Sequence, residues 1–167
     1  MHRLAAVPGS TSPSDGVVFI EQPPAEVVLL SSADTDLAAL ASLLDRDPHP
    51  LGEAVAIRAL NLAALQHPAV CDHYLRTSLQ QTRLLVVRLL GGRSHWGYGL
   101  EQLQRWAAQA PGRQLMVLAG TPDLETELLP LGTVDPNISR ACGRCLQEGG
   151  GDNLQRVLHS LRGLLEQ

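Results

Sequence analysis

Residues 84–99, LLVVRLLGGRSHWGYG, restrict the possible folds of this chain more than any other segment. A run of Leu and Val, broken only by Arg88, ends abruptly at Gly91 and Gly92. Such a continuous apolar run marks a strand buried on both faces, which is the situation of strands in parallel sheets. Parallel neighbours need long crossovers, usually helical, so the rest of the chain must alternate strands with helices. The loop after such a strand is where open α/β sheets hold ligands. Here that loop carries Arg93, His95, Trp96 and Tyr98, which are the candidate ligand-binding residues. Two of the chain's five aromatics sit in it. Trp96 and Tyr98 could equally fold back as a lid over the core, since buried aromatics contribute large apolar area.

The remaining pattern agrees. Residues 17–21 and 27–31 are short β-prone runs, and the second feeds SSADTD and the apolar-periodic LAALASLL, a strand entering a helix. Residues 54–62 are a third strand candidate. His67-Pro68 opens a helix reaching about residue 79, with proline at a tolerated first-turn position. Residues 84–90 make the fourth strand, 100–110 a helix, and 114–119 the fifth strand. Beyond it the periodicity is helical over 124–129, 138–148 and 152–165, with Gly149-Gly150-Gly151 separating the last two. The expected fold is therefore α/β: a mostly parallel sheet of about five strands covered by helices, flavodoxin-like or Rossmann-like, with a helical C-terminal end. Residues 1–16, rich in Gly, Ser, Pro and Thr, are expected to be a flexible leader, and 17–167 a single domain.

Composition narrows the chemistry. The chain has 167 residues, a net charge of -4 and only 3% aromatics, so its core must be aliphatic and no basic nucleic-acid footprint is expected. No apolar run is long enough to span a membrane. Three cysteines form no even framework and suit a reducing cytoplasm. All 13 basic residues are arginine. Without lysine there is no phosphate-binding P-loop and no Schiff-base chemistry, so any ATPase must reside elsewhere.

Other motifs are weaker. Cys142-Gly143-Arg144-Cys145 has redox or half-zinc spacing, but it lies within a helical stretch and lacks a second ligand pair, so packing is the leading account. Asp47-Pro48-His49-Pro50-Leu51-Gly52 matches the D-x-H-x-x-G string of cobalamin-binding domains, yet it follows a helix and is broken by prolines. His67 and Cys71 share a helix face that would supply only two metal ligands. Asp34 and Asp36 are read as caps of the first helix.

Arg58, Leu60, His67-Pro68, Asp72, Tyr74, Arg88, Leu90-Gly91-Gly92, Trp96 and Tyr98-Gly99 together resemble the N-terminal region of the cobaltochelatase large subunit. That family, CobN, is related to the H subunit of magnesium chelatase. The family has an aromatic where this chain has His95 and a bulkier residue at Gly97. The resemblance implies a module of the tetrapyrrole-binding subunit of an ATP-dependent chelatase. That enzyme inserts cobalt into hydrogenobyrinic acid a,c-diamide during cobalamin synthesis. Its partners would be the rest of the large subunit and AAA+ ATPase subunits. The chain itself would hold no cofactor, cobalt and Mg-ATP belonging to the whole enzyme. Its role would be structural, gating or docking rather than catalytic. Arg93, His95, Trp96 and Tyr98 would then meet the corrinoid, aromatics on its flat face and Arg on its carboxylates. The other readings are a free-standing flavin-type binding domain, with Trp96 and Tyr98 flanking an isoalloxazine, and a pure interaction domain without ligand.

Overall fold

The computed structural model describes the backbone of residues 7–12 and all of residues 17–167. Its centre is a four-stranded parallel sheet. The strands are β3 (Val27–Ser31), β4 (Ile57–Asn61), β5 (Leu84–Leu89) and β6 (Gln114–Ala119), in the spatial order β4-β3-β5-β6. In register, Val27 faces Ile57 on one side and Leu84 on the other, and Leu84 faces Gln114. All six residues of β5 are buried, as its unbroken apolar run requires.

Alternate side chains feed two cores. Val28, Leu30, Leu85, Val87, Leu115 and Val117 pack against α2 (Pro68–Thr77) and α3 (Gly97–Gln109). Val27, Leu29, Leu84, Val86, Met116 and Leu118 pack against α1 (Asp34–Arg46), α5 (Pro136–Glu148) and α6 (Gly151–Leu165). A short helix, α4 (Glu125–Leu128), follows β6. The layering of helices on both faces of a parallel sheet is the predicted one.

Val17–Glu21 is a strand, β2, but it does not join the sheet. It pairs antiparallel with β1 (Val7–Ser12) as a separate ribbon, so the central sheet has four strands rather than five. Ile20 and Phe19 of β2 contribute to the α2 face of the core. Residues 7–12 thus form a strand inside the stretch expected to be a leader, while the rest of that stretch, 1–6 and 13–16, lies outside the described residues. No helix among the described residues is long and apolar enough to cross a membrane.

The helix starts follow their sequences unevenly. His67 caps α2 as expected, its Nδ1 accepting from the Ala69 amide at 3.1 Å. The caps expected of Asp34 and Asp36 do not form: Ala33 is the cap residue of α1 and neither carboxylate caps it. Asp36 turns inward because a stronger, charged donor awaits it there. Arg88 Nη1 lies 2.9 and 2.8 Å from its two carboxylate oxygens, and Ser31 Oγ donates to Oδ2 at 2.7 Å. Asp34 instead accepts from Asn61 Nδ2 at 2.7 Å.

Candidate functional site: the cleft at the strand-order reversal

The strand order reverses between β3 and β5, because the chain goes from β3 outward to β4 and then crosses back to β5. The crevice at the C-terminal ends of two such strands is the usual ligand position of open α/β sheets. Here a cleft of about 290 Å³ opens at that point, lined by Ser32 after β3, Asn61 at the end of β4 with Ala63 and Gln66 beyond it, and Leu90, Gly91, His95 and Trp96 after β5.

The loop forming its wall folds as a 3₁₀ turn, Arg93–Trp96, leading into α3. Two glycines make it possible. A Cβ on Gly91 would lie 2.7 Å from the His95 ring, and one on Gly99 would lie 2.0 Å from Trp96 Cε2. Glu127 of α4 accepts from the Arg93 amide at 3.2 Å, anchoring the turn from the next βα connection. Sequence spacing gave no sign of this partner, 34 residues away.

The four candidate residues part company here. Trp96 is only 5% exposed, and its Nε1 donates to the Leu65 carbonyl over 3.3 Å. Its ring therefore serves as the lid of the core and lends the cleft little more than an edge. Arg93 and His95 are exposed on the same turn. Tyr98 is 42% exposed, and its hydroxyl donates to Asp72 Oδ1 at 2.7 Å, linking α3 to α2. With the Trp96 ring folded into the core, Tyr98 is the one of the two aromatics that offers an exposed ring.

The Asp72 carboxylate beside it raises the Tyr98 hydroxyl above the ordinary tyrosine range, since hydrogen bonding and charge both favour the protonated phenol. Asp72→Asn removes the charge, and the first phenolate to appear in an ultraviolet pH titration will then form at lower pH. An unchanged titration would mean that the bond does not persist in solution. Tyr74 stays protonated to higher pH because burial raises it.

At the C-terminal ends of the same strands, the Ser31–Asp36–Arg88 cluster ties β3, α1 and β5 together. Both charged side chains are 6% exposed, and Arg88 Nε is buried without a partner among the described residues. All three cysteines are free thiols. Cys142 packs in the core between α5 and α6 with its thiol raised by burial, and burial pushes Cys71 up to about 12. Cys145 is half-buried. No three His, Cys, Asp or Glu side chains among the described residues converge on a metal position.

Comparison with known proteins agrees with this architecture. The chain is 33% identical over 153 residues to the aerobic cobaltochelatase subunit CobN of Pseudomonas aeruginosa, and equally to that of a Sinorhizobium species. Each match takes in 92% of this chain. It is homologous to one segment of CobN. That segment is small, for the chain spans only 12% of the length of either relative. The catalytic subunit of cobaltochelatase from Mycobacterium tuberculosis shares the fold, with a TM-score of 0.61 at 24% identity over 87% of this chain and 10% of that one. No family model matches the chain.

Proposed function

We propose that this chain is the N-terminal module of a cobaltochelatase large subunit. In that role it presents the cleft after β3 and β5 to the corrinoid substrate without inserting the metal itself. The observation carrying the proposal is homology over 92% of this chain to a protein of which it spans 12%. A segment so small leaves most of a chelatase's machinery to other regions. Cobalt, as substrate, and an ATPase motor would therefore be handled by the remainder of the subunit and by AAA+ partner subunits.

In this reading the loop residues have different duties. Arg93 and His95, exposed on a turn braced by Glu127, would donate hydrogen bonds to the carboxylate and amide arms around a corrinoid's rim. Tyr98 offers a partly exposed ring beside them. Trp96 supports the turn from below.

The test is an absorbance titration of hydrogenobyrinic acid a,c-diamide with the 167-residue chain. Binding is expected, and Arg93→Ala with His95→Ala should weaken it about ten-fold or more, as loss of a charge-assisted hydrogen bond does. A dissociation constant above about 1 mM, or one indifferent to the double substitution, would sink corrinoid contact. The exposed Leu90 and Tyr98, at 48% and 42%, would then point to a loop that docks against the rest of the subunit.

A further inference from the structure

A second concavity lies away from the cleft, between α2 and α3. It is an open groove of about 440 Å³. Arg76 and Gln80 line it from the α2 side, Arg105 and Gln109 from α3, and Arg113 also lines it. Asp72 is the groove's one acidic lining residue, and it is already engaged by Tyr98. In a chain of net charge -4, three arginines facing one groove are a local reversal of sign.

The three cations differ in how they are held. Arg113 is fixed: its guanidinium carbon lies 4.8 Å from the centre of the Trp106 ring, and Nη1 donates to the Trp106 carbonyl at 2.9 Å. Among the described residues Arg105 pairs with Glu101 one turn earlier, both more than half exposed, an ion pair of little net value. Arg76 is exposed and has no carboxylate partner among the described residues. Two of the three guanidinium groups are thus available at small cost.

We propose that this groove binds an extended acidic segment of a partner protein. Arg105 and Gln109, four apart on α3, rise about 6 Å and present donors at that interval, while Arg76 near the end of α2 and Gln80 in the turn just beyond it line the other side. Alternate side chains of an extended peptide recur at about 6.6 Å, so carboxylates at every second position meet successive donors. Guanidinium groups match carboxylates in two-pronged geometry. A planar macrocycle is disfavoured because the aromatic ring of the groove, Trp106, is 2% exposed and lies under Arg113. Nucleic acid is disfavoured because the chain carries a net charge of -4.

The experiment is fluorescence anisotropy of a dye-labelled peptide of alternating Glu and Ser, titrated with the 167-residue chain at low and moderate salt. Binding is expected to weaken with salt and to fall at least ten-fold in the variant Arg76→Gln with Arg105→Gln. Both residues are exposed, so the fold is kept. A charge-matched control, Arg46→Gln with Arg156→Gln, alters other helices and should leave affinity unchanged. Equal loss in the control, or no preference over a Gln-Ser peptide, would overturn the proposal. So would tighter binding of a single-stranded oligonucleotide, or citrate binding as tightly as the peptide. The corrinoid titration plays no part in these outcomes, and either reading can fail alone.

Discussion

Replacing Asp36 by alanine will lower the unfolding free energy by about 3–5 kcal/mol, because it leaves the Arg88 charge buried and unmatched. Arg88 and Asp36 are each 6% exposed, and Arg88 already has one buried donor, Nε, unpartnered. Removing the carboxylate would orphan two close contacts at 2.8 and 2.9 Å and also the Ser31 hydroxyl that donates to it. The cost is a large fraction of the stability of a domain of this size, typically about 5–15 kcal/mol. Urea unfolding should show the midpoint falling with little change in slope. The exposed pair supplies the contrast: Glu101→Ala, which frees Arg105, should cost less than about 1 kcal/mol. Substituting both members, Asp36→Leu with Arg88→Met, should recover most of the loss, since apolar replacement of a buried pair is often neutral. A cost for Asp36→Ala below about 1 kcal/mol would mean that Arg88 reaches water. The cluster joins the C-terminal end of β3, the start of α1 and the end of β5, so its loss should also loosen the packing of α1 on the sheet.

The layered fold was legible because period and length carry it. An unbroken apolar run defines β5, and the alternation of such runs with 3.6-residue periodicity defines the parallel sheet and its helices. What a five-residue run does not encode is its partner. Val17–Glu21 has the composition of a sheet strand, yet it pairs with Val7–Ser12, in a stretch whose glycine, serine and proline content suggested a leader. The aspartates after β3 failed differently. Local capping chemistry was sound in principle, but Arg88, 52 residues later, offers Asp36 a charged donor in a buried setting. The glycine–aromatic loop was recognisable as special from residue type alone. Its internal division was not, because Trp suits a core lid and a stacking platform equally well. The features that decide between them, the Leu65 carbonyl, Asp72 and Glu127, lie 26 to 34 residues away along the chain.

Trp96 and Gly99 should prove energetically inseparable. Trp96→Ala alone empties a site at the edge of the core and should cost about 3–5 kcal/mol. Gly99→Ala alone should cost about 1–3 kcal/mol, because the added methyl would fall 2.0 Å from the indole ring and the ring or α3 must move. With the indole gone, that obstruction vanishes and only helix propensity remains, so Gly99→Ala in the Trp96→Ala background should gain up to about 1 kcal/mol. The coupling between the two sites is then roughly 2 kcal/mol or more. Urea unfolding followed by Trp106 fluorescence measures all four corners of the cycle, since Trp106 remains in each. Additive losses would show that the ring leaves Gly99 readily and is free to stack on a ligand. Strong coupling would show that it is locked inward. In that case the turn is a rigid platform, and under the proposed reading contact with a ligand would fall to the exposed Arg93, His95 and Tyr98, held in place by a tryptophan that faces the core.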